Sequence, residues 1–431
     1  MSFLSRWSET ILKLSLNTHR VICVVGCRQS GKTTLVKHNC PISAEFKTLD
    51  SDATLVSAKD DPSFFIRRRP NTSLIIDEIQ KAPALIGEIK IAVDDDPTKG
   101  QYIITGSADY RKLPQAKESL AGRVGFVRVR TFTEAELRKV PVGFLADLFD
   151  EAIPYSCSKS DCNKPLILSL AEKGGFFEPQ TLNLDERAHW YQSYIDQQII
   201  LDMRNQWGIK RKDTVAELFK YLAAFSSKPF VTRALSQQLN VAWATVEGYV
   251  SSIEAMYLVD MVPAWTKKDY DRPGQTPKLF MTDTGLMSAL LDISNAADKA
   301  GDQEFAQNFG GKLVETWAYN QLIAEVDLHP RWTLYHLRTK IHEIDFLITN
   351  ENNSYLAIDI KSGESVNSED FRHIRWFQQL EGKENCIGVV LYAGNEVRSF
   401  GDRCYAIPLA GLDGKQGGVD KVALEKLAAT H

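Results

Sequence analysis

The sequence predicts an α/β protein with a parallel sheet flanked by helices on both faces over residues 1–145. A mostly helical segment over 146–300 and a second α/β domain over 301–431 follow. Three observations carry this expectation. Apolar strand-like runs alternate with helical patterns to about residue 145, as a parallel sheet wrapped by helices requires. From about Glu186 to Lys268 the periodicity is mainly helical. Beyond a helix beginning near Lys312, the runs TLYHLR, EIDFLI, YLAIDIK and CIGVVLY read as strands. A chain of 431 residues can hold two or three domains with separate cores.

The first element is the most informative. Val21 to Val25 form an apolar run, and a helix begins at Thr33. Between them Gly26, Gly31, Lys32 and Thr33 fill the pattern G-x-x-x-x-G-K-[ST]. Glycines let such a loop curl until its N–H groups point at phosphate oxygens, and the following helix adds partial positive charge. The expected phosphate cradle is Gly26, Cys27, Arg28, Gln29, Ser30, Gly31, Lys32, Thr33 and Thr34, with the Arg28 side chain turned outward. Lys32 would reach the β- and γ-phosphates, and the Thr33 hydroxyl would ligate Mg²⁺. ATP and Mg²⁺ are therefore the expected cofactors.

A second strand, in LIIDE, is expected beside the first and ends in Asp77 and Glu78. Asp77 would hold the metal, directly or through water, and Glu78 would polarise an attacking water. A third run, Tyr102 to Thr105 in QYIITGS, offers Thr105 or Ser107 as a sensor of the γ-phosphate, with Gly106 as a hinge.

Composition narrows the setting. No run of eighteen apolar residues is present, so no membrane span is expected. In MSFLSRWSETILKLSLNTHR, Leu4, Trp7, Ile11 and Leu14 recur at helical spacing broken by charges, unlike a secretory leader. Seven scattered cysteines suggest reduced thiols and a cytoplasmic protein. Cys157 and Cys162 have no second pair nearby, which argues against zinc. Residues 1–140 carry 22 Lys/Arg against 16 Asp/Glu, a net +6, and the remainder carries 29 against 39, a net −10. The basic part could face nucleic acid; the acidic part argues against a broad electrostatic grip.

Residues 150–185 read as a connector with one short helix, Leu166 to Glu172. A helix-turn-helix follows, with Thr232 to Leu239, a turn at 240–242, and Trp243 to Tyr257. Leu235, Leu239, Val246, Val250 and Ile253 would form its core. The second helix carries Glu247 and Glu254 and no Lys or Arg, which is unusual for a DNA reader because phosphate contacts dominate affinity. Lys267 and Lys268 could touch the backbone from a wing. Contact with DNA and a structural lid role both remain open.

At the C-terminal end, Glu315 lies on a helix, Asp345 in EIDFLI, and Asp359 and Lys361 in YLAIDIK. Asp359 and Lys361, two apart on a strand, project from one face. Asp345 can join Asp359 across a forked sheet, and two such carboxylates suit Mg²⁺. Lys361 could orient a water or steady charge as a phosphodiester is attacked. Glu315 could complete the metal shell, with His342 and Glu343 beside it. The alternative is a hairpin with charges facing solvent.

The segments VVGCRQSGKTTLVK, LIIDEIQKAP, YIITGSADY and SLAGRV resemble the P-loop domain of a widespread bacterial and archaeal AAA+-like ATPase family. GGFFEP, TVEGYVSSIEAMYLV, PKLFMTDTGLMSALL, GKLVETWAYNQL and RTKIHEIDFLI resemble its second half, long catalogued as a domain of unknown function. That half is in turn similar to PD-(D/E)XK nucleases, implying a restriction-endonuclease-like domain after the winged-helix-like segment read from the helix pair. Glu315, Asp345, Asp359 and Lys361 would then take the nuclease roles. The family usually shows Glu-x-Lys where this chain has Asp359-Ile360-Lys361. The resemblance also implies self-assembly into homo-oligomers and an arginine that stabilises charge on the γ-phosphate in cis or in trans. Arg123 is the candidate, with a structural salt bridge as the alternative. Asp283, in TDTGL, is read as a helix cap. Two functions remain: an ATPase that remodels or moves DNA, with a metal-dependent nuclease site, and an ATP-dependent switch that binds a protein partner through a silent nuclease fold.

Overall fold

Short, fully buried apolar strands set the architecture. The computed structural model describes residues 3–40, 43–109, 120–153, 163–199, 203, 212–267 and 276–413. It divides into two units, Met1–Phe132 with Ser251–Leu258, and Thr133–Val250 with Val259–His431.

In the first unit, β1 (Val21–Val25), β2 (Glu45–Thr48), β3 (Leu74–Asp77), β4 (Tyr102–Gly106) and β5 (Val124–Arg128) form a parallel sheet in the order β2-β3-β4-β1-β5. β1, β3 and β4 are buried at every position, which is why each reads as a continuous apolar run rather than an alternation. Ile22, Val24, Leu35, Ile75, Ile103 and Val127 share its core. The strand ending in Asp77 does not lie beside β1, as expected, because β4 intervenes. The ends of β1, β3 and β4 still converge, since the strands run parallel and in register.

The helical spacing near the start corresponds to a helix, Ser8–Thr18, whose Ser8, Leu12 and Ser15 are buried while Leu14 is 52% exposed. Small residues let it pack closely. A Cβ at Gly125 would stand 3.2 Å from Ser15 Cβ and 2.7 Å from His19 Nδ1, so this glycine admits the helix close to β5.

In the second unit, β6 (Lys228–Pro229), β7 (Val259–Val262) and β8 (Lys278–Met281) form an antiparallel sheet with β8 central. A larger mixed sheet contains β9 (Thr333–Arg338), β10 (Glu343–Thr349), β11 (Tyr355–Lys361), β12 (Cys386–Tyr392), β13 (Arg398–Ser399) and β14 (Cys404–Pro408). Its order is β13-β14-β12-β11-β10-β9. β9, β10 and β11 pair antiparallel, while β12 pairs parallel with β11 and β14. The connector helix spans Lys164–Lys173, and the helix pair spans Thr232–Gln238 and Trp243–Ala255, the latter crossing the unit boundary at Ser251. Leu235, Val246, Val250 and Ile253 are buried. Leu239 is only half-buried. Cys157, Cys162 and Lys268 lie outside the described residues.

Candidate functional site

The loop between β1 and the helix Lys32–Asn39 is shaped by residues that tolerate unusual backbone. Gly26 has φ 153°, Gln29 61° and Gly31 94°. At Gly26 a Cβ would stand 2.1 Å from the Val129 carbonyl oxygen and 3.0 Å from Ser30 Oγ, so any side chain there would fill the cradle. Lys32 is buried and donates through Nζ to the carbonyls of Gly26 (3.1 Å) and Cys27 (2.8 Å). Burial lowers its pKa, with Glu78, Cys27 and Asp77 pulling the other way. Ser30 Oγ is buried without a hydrogen-bond partner, while Arg28 is half-buried and Thr34 exposed.

The strand ends close around this loop. Thr33 Oγ1 donates to Asp77 Oδ1 at 2.9 Å, and Thr105 Oγ1 donates to the same oxygen. Glu78 follows Asp77 with φ 61°, a left-handed conformation that a non-glycine residue adopts at a cost. Its carboxylate accepts from Gln80 Nε2, and from Ser107 Oγ at 3.4 Å. Gln80 Nε2 also reaches Ser107 Oγ at 3.1 Å. Thr105 thus belongs with Asp77, and Ser107 with Glu78. Gly106, expected as a hinge, has no positive φ, and a Cβ there would stand 2.9 Å from Gln80 Oε1.

Arg123 is placed elsewhere. It precedes β5 at the opposite end of the sheet from the loop, where Val124 is paired with Val21. Five strand residues separate those ends, about 16 Å at the usual rise. Its Nε donates to Asp94 and its Nη1 to the Ala121 carbonyl at 2.9 Å. Of the roles left open for Arg123, the structure shows the salt bridge, with Asp94, at the sheet end away from the glycine loop.

Sequence reasoning missed Arg6. Its guanidinium is buried and donates to the carbonyls of Ser30 (3.0 Å) and Arg130 (2.7 Å), and it lies 3.8 Å from the Phe132 ring centroid. It holds the loop from behind. Its one sequence signal was an arginine between the apolar residues Leu4 and Trp7.

Residues 18–138 match the family model described as an AAA domain. This part of the chain is an AAA-type P-loop ATPase domain. Residues 166–297 and 310–412 match two models described as domains of unknown function, DUF8612 and DUF4143. Uncharacterized protein Rv2008c of Mycobacterium tuberculosis is 26% identical over 337 residues, spanning 76% of this chain and 67% of that protein. Uncharacterized protein Mb2031c of Mycobacterium bovis aligns with the same figures. Among solved structures, the Walker-type ATPase PABY2304 of Pyrococcus abyssi is similar at 12% identity and TM-score 0.38, covering 67% of this chain and 96% of that one. The RuvB Holliday junction branch migration motor of Thermotoga maritima is similar at 15% identity and TM-score 0.28, covering 62% and 95%. Likenesses that low carry nothing about this chain's activity.

Within the second unit, the fold brings the C-terminal carboxylates together. Asp345 and Asp359 face each other where β10 and β11 fork. Asp345 N–H donates to Asp359 Oδ1 (3.1 Å), and Ile360 N–H donates to Asp345 Oδ2 (3.0 Å). Between Asp345 and Glu315 stands an ammonium group. Lys278, with its side chain 2% exposed, donates to Glu315 Oε1 at 2.8 Å and Asp345 Oδ1 at 3.0 Å. Glu343 is half outside, 45% exposed and 3.8 Å from Lys278. Lys361 turns to Asp370 at 3.4 Å, and His342 stacks on Trp376.

Burial and the neighbouring Asp345 charge push Glu315 up to about 7 and Asp359 well above the usual carboxylate range. Burial acts the same way on Asp345, but Lys278 and the Ile360 N–H outweigh it and hold that carboxyl low. Burial would lower Lys278, yet Asp345 and Glu315 together keep its ammonium charged. Among the described residues, no group of three or more His, Cys, Asp and Glu side chains could hold a metal ion. Glu315, Asp345 and Asp359, expected as a Mg²⁺ set, do not fit that role as arranged: both Asp345 oxygens and one Glu315 oxygen are already engaged.

Asp283 does cap a helix, Thr284–Leu290, by accepting from Leu286 N–H at 2.9 Å. It also accepts from Gly175 N–H at 2.8 Å and Tyr191 OH at 3.2 Å. Lys267 pairs with Glu381 at 2.8 Å. No helix among the described residues is long and apolar enough to cross a membrane.

Proposed function

We propose that the chain hydrolyses ATP as a nucleotide-dependent switch, reading it out through the second unit to a protein partner. The observation that carries this is the Thr33–Asp77 hydrogen bond at 2.9 Å, which sets two hard oxygens side by side at the mouth of the glycine loop. Those are the oxygens that would hold Mg²⁺, and the buried, unpartnered Ser30 Oγ fits a loop made to meet phosphate oxygens. The metal would supply charge neutralisation between the β- and γ-phosphates. Lys32 would exchange its two loop carbonyls for phosphate oxygens. Glu78, held by Gln80 and Ser107, is the group to take a proton from water, and Thr105 keeps Asp77 oriented.

The switch is preferred to a nuclease because the carboxylates at the fork are engaged by Lys278. The helix pair supports a second reading, an ATPase acting on DNA, although Trp243–Ala255 presents no cation and Lys267 is paired. Assembly into homo-oligomers is part of both readings. The deciding test is ATP turnover by wild type and Lys32→Ala, with and without duplex, forked or four-way DNA across a salt series. Turnover lost in Lys32→Ala and flat with DNA supports the switch. Stimulation by DNA with steep salt dependence transfers support to the second reading. Undiminished hydrolysis by Lys32→Ala overturns both.

A further inference from the structure

We infer that Lys278 is the resident cation of the carboxylate pocket formed by Glu315, Asp345 and Asp359, standing in for a divalent metal. The inference does not depend on the ATPase reading, because it concerns only the second unit. Its first support is where the lysine sits. β8 reads KLFM and is buried at all four positions, so a lysine there needs partners to offset the loss of water. Two carboxylates supply them, at distances of ordinary charge-assisted hydrogen bonds.

The second support is size. The oxygens lie 2.8 and 3.0 Å from Nζ, whereas Mg²⁺ requires oxygens at about 2.0–2.1 Å in near-octahedral array. A pocket set to the ammonium radius does not close on Mg²⁺ while the ammonium stays. The third support is saturation. Asp345 divides its oxygens between Lys278 and the Ile360 N–H, and Asp359 Oδ1 accepts the Asp345 N–H. The forked sheet is thereby tied to β8 and to the helix Gly311–Val326 through one side chain. The pocket is an internal ion lock, and removal of the lysine charge converts it into a divalent-cation site.

The test is Mn²⁺ binding by the nucleotide-free full chain, followed by electron paramagnetic resonance. Mn²⁺ held by Thr33 and Asp77 is common to every variant and cancels in the comparisons. Wild type and Asp345→Asn should bind the same number of equivalents. Lys278→Met should gain one, and Lys278→Met with Asp345→Asn should lose it again. Mn²⁺ should also raise the melting temperature of Lys278→Met more than that of wild type. Loss of an equivalent from wild type on Asp345→Asn overturns the inference, as does a folded Lys278→Met that gains none. Should Lys278→Met fail to fold, comparing wild type with Glu315→Gln and Asp345→Asn still decides: an equivalent lost in either sinks the idea, and equal binding upholds it.

Discussion

Thr33 and Asp77, 44 residues apart, meet through a hydrogen bond of 2.9 Å from Oγ1 to Oδ1. One residue stands in the first turn of the helix after the glycine loop and the other closes β3. The sheet has brought the two strand ends into one place, although β4 lies between their strands.

If these oxygens jointly hold Mg²⁺, Asp77→Asn should lower turnover by about 10²-fold or more, equivalent to roughly 2.7 kcal/mol. Thr33→Ser keeps the hydroxyl and should stay near wild type, while Thr33→Val should follow Asp77→Asn. Turnover measured across a Mg²⁺ titration checks this. Equal Mg²⁺ dependence in all four proteins would remove the assignment.

Glu78→Gln should retain nucleotide binding and lose about 10²–10⁴-fold in hydrolysis, the usual worth of a positioned base. Gln80→Ala removes the donor that holds Glu78 and should cost about tenfold. Binding of a fluorescent nucleotide, measured beside turnover, separates the two effects. A Glu78→Gln protein that hydrolyses normally places the base elsewhere.

Two glycines make a controlled pair. Gly26→Ala drives a methyl to 2.1 Å from the Val129 carbonyl and forbids the positive φ, so nucleotide binding should be lost along with loop structure. Gly87 sits exposed within the helix Ala84–Asp95, with nothing within 4 Å of an added Cβ. There Gly87→Ala should stabilise by about 0.5–1 kcal/mol. Denaturant melts and nucleotide titrations of both variants read this directly; a destabilised Gly87→Ala would contradict the local geometry.

Much of this was legible in the chain. The glycine loop and the strand ending in Asp77-Glu78 announce themselves because phosphate binding demands a specific residue order. The runs TLYHLR and YLAIDIK coincide with β9, exposed at both ends, and β11, buried from Leu356 to Asp359. Strand order was not legible: nothing in LIID says which neighbour it pairs with. Nor was Arg6, whose hydrogen bonds to the Ser30 and Arg130 carbonyls reach across 24 and 124 residues of sequence. Lys278 did leave a signal, a single charge within the apolar run KLFM, but its meaning depends on Glu315 and Asp345, 37 and 67 residues away.

Arg123 offers a test of assembly. Its ion pair with Asp94 is partly exposed, so Arg123→Ala should cost no more than about 1 kcal/mol of stability. Its position far from its own loop predicts unchanged turnover at concentrations where the protein is monomeric. A fall of about 10³-fold that appears only at high protein concentration would show that Arg123 serves a neighbouring subunit.

Glu325 supplies a prediction about pH. It is 2% exposed and accepts the N–H groups of Leu145 (3.0 Å) and Ala146 (3.2 Å) at the start of the helix Phe144–Phe149. Burial pushes it up to about 7 despite those hydrogen bonds. The folded state therefore holds a proton that the unfolded state has released between its ordinary value near 4.5 and about 7. Stability falls with rising pH wherever the native state binds more protons. The Glu325 contribution should thus be intact below about 4.5 and be lost as pH rises through about 7, an effect on the order of 3 kcal/mol or less. Glu325→Gln keeps an acceptor for one N–H and cannot ionise. Urea melts of the two proteins from pH 4.5 to 8 isolate the difference: the wild type should lose stability relative to Glu325→Gln across that range, and parallel curves would show that Glu325 is charged throughout.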